Sequence, residues 1–220
     1  MNILVMGAAG KTGREVVAQA LEAGHTVTAF VRDPEKLERN DVAVAIGDAR
    51  SVDDVHKALH GQDAVISTLG SGMNAKSKLI EGSTRALLGA MPSAGVKRLV
   101  MLSTFAASPT YQAKGVMKLA SMAMKGVVAD KTAGEALVKH SDIDWTIVYA
   151  TRLTDEPRSG GYRTVEGTLT GVGTISRADL AEALLVTLAD TTSLRQSRVV
   201  TSRQPEHAGP GLTCRNRRTD

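Results

Sequence analysis

Cysteine, aromatic residues and long hydrophobic runs are all scarce in this chain of 220 residues. The single cysteine, Cys214, excludes an internal disulfide and any cysteine-built zinc cage. It also fits a reducing, cytoplasmic setting. One tryptophan, three tyrosines and two phenylalanines are too few for the stacking platforms that bind single-stranded nucleic acid. The core must therefore be built from Val, Leu, Ile, Ala and Met. No stretch approaches the roughly 18 apolar residues of a membrane span. The opening residues, Met1-Asn2-Ile3-Leu4-Val5, enter an apolar run without the charged region or cleavage site of a signal peptide. The formal charge is +4, and residues 203–220 hold four arginines against Glu206 and Asp220, a net +2. The remaining +2 is spread thinly, which is no nucleic-acid footprint. The expected partner is a small molecule, with neither nucleic acid nor membrane. His56 and His60 stand four apart beside Asp53, a spacing that can chelate zinc, but no further ligand set accompanies them and no metal site is expected.

What is present is an alternation. Apolar runs at 2–6, 26–31, 42–46, 63–67, 97–102, 145–149 and 198–201 read as strands. Between them, 11–23, 51–60, 76–94, 114–140 and 177–188 read as helices. Ser51 and Ser176 stand at N-cap positions, with Asp53 and Asp54 in the first turn after Ser51, and Gly24 stands where a helix C-cap belongs. Strictly alternating strands and helices predict a doubly wound α/β domain, its parallel sheet covered on both faces. We expect that domain over residues 1–202, a small substrate lobe at 150–175, and a disordered basic tail at 203–220.

The clearest motif is Gly7-Ala8-Ala9-Gly10-Lys11-Thr12-Gly13, between the first strand and the first helix. Dinucleotide binding needs a tight turn, close backbone approach to pyrophosphate, and close helix–strand packing, which glycines supply, while the helix N-terminus supplies N–H donors. The spacing is G-x-x-G-x-x-G. Gly7, Gly10, Lys11, Thr12 and Gly13 are the expected phosphate-side residues. The second strand ends in Val31-Arg32-Asp33, where an NAD-selective protein would carry an acid for the ribose hydroxyl. Arg32 instead offers a guanidinium to a 2′-phosphate, so NADP is expected over NAD. Asp33 is expected to cap the next turn with Pro34. Asp48 is expected to accept from an adenine amine beside Ala49, and Thr68-Leu69-Gly70 to line the ribose and pyrophosphate, since ligands bind beyond the carboxyl ends of parallel strands.

These residues resemble the atypical short-chain dehydrogenase/reductase proteins that carry an NAD(P)H-binding, NmrA-like Rossmann domain. Within them the chain is most similar to the biliverdin-IX beta reductase/flavin reductase group. The resemblance rests on Gly7–Gly13, Val31-Arg32-Asp33, Gly47-Asp48, residues 61–66 and 96–100, Trp145-Thr146-Ile147-Val148, Leu153-Thr154-Asp155 and residues 175–181. It implies a Rossmann domain binding NADP(H). Some members reduce flavins, quinones or linear tetrapyrroles; others sense the cofactor and regulate partners.

The departures narrow this. The Tyr-x-x-x-Lys pair that supplies a tyrosine acid is absent: Tyr111 precedes Lys114 one residue short, and neither Tyr149 nor Tyr162 has a lysine four residues on. Epimerase or dehydratase chemistry of the extended short-chain type is thereby disfavoured. Hydride delivery to a flavin, quinone or related planar acceptor needs less, because positioning and solvent protons suffice. The resemblance places the Ser103-Thr104 hydroxyls near nicotinamide and substrate, beside Phe105. The resemblance also places Arg152 near substrate, where a cation would suit an anionic one. Lys131 has two readings, a surface ion pair with Glu135 four residues on, or a contact to ribose or substrate from a helix that faces the cofactor. The expected activity is an NADPH-dependent reductase, with Ser103, Thr104 and Arg152 on the substrate side. The alternative is a non-catalytic NADP(H)-binding regulator or sensor.

Overall fold

The computed structural model describes residues 1–70, 78–111, 125–165 and 173–203. The chain opens with β1 (Asn2–Met6), α1 (Lys11–Glu22), β2 (Thr26–Val31) and β3 (Ala43–Ile46). It continues through α2 (Val52–Leu59), β4 (Ala64–Ser67), α3 (Leu79–Ala94), β5 (Arg98–Thr104), α4 (Lys125–Lys139) and β6 (Asp144–Ala150). It ends with β7 (Arg152–Thr154), β8 (Tyr162–Val165), β9 (Thr174–Ser176), α5 (Arg177–Ala189) and β10 (Gln196–Ser202).

The main sheet runs β3-β2-β1-β4-β5-β6-β10-β8. The order reverses between β1 and β4, which opens a crevice at their carboxyl ends. The first seven strands in this order are parallel, as expected. The eighth is not: β8 pairs antiparallel to β10, with Val199 opposite Val165. The expected parallel sheet thus carries one antiparallel strand at that edge, where no crossover helix is required. The rest of the 150–175 region contributes a two-stranded parallel sheet, Arg152–Thr154 against Thr174–Ser176.

Successive residues of each strand feed opposite layers. Ile3 and Val5 of β1 pack with Val16, Val17, Leu180 and Leu184 of α1 and α5. Leu4 and Met6 pack with Val55, Leu59, Leu87 and Met91 of α2 and α3, and with Val138 of α4. Met91 and Met101 are buried packing residues. The caps follow the sequence: Ser51 accepts from the Asp54 N–H, Ser176 from the Asp179 N–H, and Asp33 from the Glu35 N–H ahead of the turn that begins at Pro34. Gly24 has φ of +78°, just beyond the end of α1. His56 on α2 and His60 just beyond its end are exposed, and no metal-binding cluster occurs among the described residues. Among those residues, no helix is long and apolar enough to cross a membrane. The tail beyond residue 203, the first part of the predicted 114–140 helix, and Cys214 lie outside the described residues.

Candidate functional site

Every strand that ends at the crevice delivers polar groups to it. The glycine loop comes first. Gly7 has φ of +83°, and a side chain there would press on Thr68 Oγ1 at 3.0 Å and the Leu69 nitrogen at 3.1 Å. A side chain at Gly13 would overlap the Gly7 carbonyl oxygen and meet Ala8 Cα at 2.8 Å. The Gly10 N–H closes the turn onto the Gly7 carbonyl at 2.9 Å. Thr68 Oγ1 donates to the carbonyls of Met6 and Gly7, and Arg14 donates to the carbonyls of Ala9 and Lys36. The loop is thus braced from both sides. Gly10 caps α1 without a side chain, and the first turn holds no acid. Among the described residues nothing accepts from the N–H of Lys11, Thr12 or Gly13. Orphan donors at a helix N-terminus, with backbone free to approach, suit an anionic phosphate. The loop therefore fits a dinucleotide.

The cations nearby differ in commitment. Arg32 is exposed at the end of β2. Lys11 does not reach over the loop; its ammonium donates to Asp155 at 2.8 Å, and Asp155 also pairs with Arg177. This ties the glycine loop to the residues that follow β7, beside an open recess of about 290 Å3. Asp48 is likewise engaged. Its carboxylate takes Arg50 Nε at 3.1 Å, Arg50 Nη2 at 2.7 Å and the Arg50 N–H at 2.9 Å. That clamp, with a smaller contribution from Arg32, holds Asp48 at about 2, well below the usual carboxylate range. An adenine amine at Asp48 would share an oxygen with Arg50. Ala49 is buried beside it, and Gly70 is exposed after β4.

The deepest feature is on α4. Lys131 is 8% exposed, and its ammonium donates to the carbonyls of Leu102 at 3.2 Å and Leu69 at 3.4 Å. It bridges the carboxyl ends of β4 and β5. The surface ion-pair reading of Lys131 is thereby corrected: Asp130, Lys131, Gly134, Glu135 and Val138 form the buried face of α4. Gly134 makes this possible, since a side chain there would meet Ile80 Cγ2 at 2.9 Å and Thr84 Oγ1 at 3.0 Å across the α3 crossing. Burial pulls the Lys131 amine down to about 8, opposed by the charges of Glu135 and Asp130.

Ser103 donates to Glu135 Oε1 at 2.5 Å, and Tyr149 donates to Glu135 Oε2 at 2.6 Å. Burial and this bond to Glu135 push the Tyr149 phenol far above its ordinary range, so it stays a hydrogen-bond donor. Thr104 is half-buried and its hydroxyl bonds to nothing among the described residues. Phe105 stands edge-on to Tyr111, ring centroids 5.4 Å apart. Arg152 is exposed on β7 and enters no ion pair among the described residues.

The structure thus brings together Gly7, Gly10, Thr12, Gly13, Thr68, Leu69, Lys131, Ser103 and Thr104 at the carboxyl edge, with Arg32 and Asp48 at its β2–β3 end. Reading the sequence missed Glu135, Tyr149 and Arg50. The first had a signal, because residues 131, 134, 135 and 138 share the spacing of one buried helix face. Four residues before Lys131 stands Val127, where a phenol would complete a Tyr-x-x-x-Lys pair.

Several known proteins are similar to this chain in sequence or in fold. YwnB of Bacillus subtilis, an uncharacterised protein, is 28% identical over 196 residues, covering 84% of this chain and 91% of its own. The oxidoreductase ylbE of Lactococcus lactis superposes with a TM-score of 0.81 at 22% identity, over 93% of this chain and 92% of that one. ChuY of Escherichia coli, described as an anaerobilin reductase, superposes with a TM-score of 0.78 at 23% identity, over 94% and 100%. Residues 7–191 match the family described as NAD(P)H-binding. With its glycine loop, doubly wound sheet and reversal of strand order between β1 and β4, the chain belongs to that NAD(P)H-binding family.

Proposed function

We propose that the protein is an NADPH-dependent reductase of a planar acceptor such as a flavin, a quinone or a linear tetrapyrrole. The observation that carries this reading is the buried Lys131 ammonium, held between the carboxyl ends of β4 and β5 beside the glycine loop. Among the described residues two of its three N–H donors go to backbone carbonyls, which leaves one for a ligand. The bound nicotinamide would supply the hydride.

The chain's own residues bind and orient. The N–H groups of Lys11, Thr12 and Gly13 take the pyrophosphate, and Arg32 takes the 2′-phosphate with a charge-assisted bond. Lys131 takes the ribose or carboxamide side. Thr104 and the Phe105–Tyr111 pair present a hydroxyl and aromatic surface to a flat ring. Arg152 faces an acidic substituent at the rim. Tyr149 is not poised to give up a proton, being held protonated by burial and Glu135, and Val127 stands where the phenol of a Tyr-x-x-x-Lys pair with Lys131 would be. Reduction of an electron-poor ring system does not depend on such an acid. The likeness to a tetrapyrrole reductase supports the acceptor class without naming its member.

The test is NADPH oxidation against FMN, FAD, a small quinone and a linear tetrapyrrole, with NADH and Arg32→Ala as controls. Turnover should favour NADPH, and the variant should lose about 10- to 100-fold in NADPH affinity with NADH little changed, the worth of one charge-assisted bond. Tight NADPH binding without turnover of any acceptor would sink the reductase reading and leave the non-catalytic regulator.

A further inference from the structure

One buried carboxylate enters that scheme only as the partner of the Tyr149 hydroxyl. Glu135 is 2% exposed, one helical turn beyond Lys131. Its oxygens take hydroxyls from two adjacent strands, Ser103 of β5 and Tyr149 of β6. Lys139 stands 3.7 Å from the second oxygen and donates to Tyr149 Oη at 3.3 Å. A carboxylate buried this deeply is costly, and an apolar side chain would pack the position at less expense. Its location suggests why it is there. Lys131 bonds only to neutral carbonyls, and among the described residues no carboxylate lies within 4.0 Å of its nitrogen. The neighbouring Asp130 is spent elsewhere: its oxygens cap α3 through the N–H groups of Ile80 and Glu81. Glu135 is the remaining anion on the Lys131 face of the helix, and two strands fix it.

We propose that Glu135 is a positioning residue: an anchored counter-charge that keeps the Lys131 ammonium charged and directed at the crevice without pairing with it directly. The inference rests on the reading of Lys131 as the cation that meets the cofactor. A direct ion pair would quench Lys131; a fixed anion one turn away balances it and leaves its third N–H free. The charges on Lys131 agree with this order, Glu135 outweighing Asp130 in opposing the effect of burial. Among the described residues, the other titratable groups that meet Glu135 are Lys139 on α4 and Tyr149 on β6.

The test follows the Lys131 titration directly, by NMR of protein carrying 13C-labelled lysine, with Lys131→Met to assign the signal. It needs neither cofactor nor acceptor. Glu135→Gln keeps the shape, accepts from one hydroxyl and donates to the other, but removes the charge, and should lower the Lys131 midpoint by about half a pH unit or more. Nucleotide affinity, measured by fluorescence across pH 6–9, should then fall away at correspondingly lower pH. Glu135→Asp keeps the charge at the cost of hydrogen-bond geometry, and should titrate Lys131 close to the parent. A role limited to packing Ser103 and Tyr149 gives the reverse order, the glutamine variant behaving as the parent and the aspartate variant the worse of the two; that result overturns the proposal. Should the glutamine variant not fold, the aspartate variant carries the test alone: a Lys131 midpoint displaced by more than about half a unit despite the retained charge overturns it. Absence of turnover with the expected Lys131 shifts intact would count against the reductase reading and leave this inference standing.

Discussion

Lys131 shows what one residue can cost its own fold. Its amine titrates near 8 in the folded chain against 10.5 for an unperturbed lysine. Between those values the unfolded chain holds a proton that the folded chain has released, so stability rises with pH across that window. Below about pH 8 both states are protonated and the folded state carries the whole burden of the buried charge, up to about 3 kcal/mol. Lys131→Met should therefore be the more stable protein at pH 7, by about 1–3 kcal/mol after the lost carbonyl contacts are counted. Its stability should stay flat between pH 8 and 10.5 where that of the parent climbs. Urea unfolding at three pH values would show both effects, and the same variant should bind NADPH poorly. The chemistry of this residue was only half legible in the sequence. A lysine four residues before a glutamate looks the same on a solvated face as on a buried one. Gly134 and Val138 decide which face this is, and that decision depends on how closely α3 and α4 cross.

At the scale of elements, the loop that precedes β8 is held to α5 by Asp179 and, at the surface, by the Arg158–Glu182 pair. Asp179, in the first turn of α5, accepts from the Ser159 N–H at 2.7 Å, the Ser159 hydroxyl at 2.8 Å and the Gly160 N–H at 2.8 Å. Burial would raise its pKa, but these bonds outweigh burial and hold it below the ordinary aspartate value. A depressed carboxyl stabilises the fold above its unfolded pKa and loses that contribution as pH falls through the folded value. Asp179→Asn should cost about 1–3 kcal/mol at pH 7. Its deficit against the parent should shrink toward pH 3, as urea titrations at the two pH values would reveal. The elements of this region are also those least visible beforehand. The buried strands β1, β2, β4, β5, β6 and β10 announce themselves as apolar runs between caps. Arg152–Thr154 and Tyr162–Val165 are short, polar and half-exposed, and only partners distant in sequence, Thr174–Ser176 and β10, make them strands.

At the scale of the whole molecule, the main sheet carries a hydrophobic layer on each face, and its buried strands contribute alternately to both. Damage to either layer should therefore loosen the sheet they share. Ile3→Ala empties a site in the α1–α5 layer and should cost about 2–5 kcal/mol. Trp145, the single tryptophan, lies in the opposite layer. Its fluorescence should nonetheless report the same lowered midpoint as circular dichroism; separate midpoints would show that the layers unfold independently. The doubly wound plan was legible because β-α alternation admits few topologies. The crevice followed from the plan, since ligands bind where strand order reverses. What did not follow is which side chains would be taken up by neighbours: Lys11 by Asp155, Asp48 by Arg50, Ser103 by Glu135.

The buried ammonium sets two kinds of fitness against each other. A library of this chain screened only for resistance to heat should be enriched in replacements of Lys131, and the survivors would be sturdy proteins with a weakened hold on their cofactor. Persistence of the lysine under such a screen would mean that something other than durability keeps it in place.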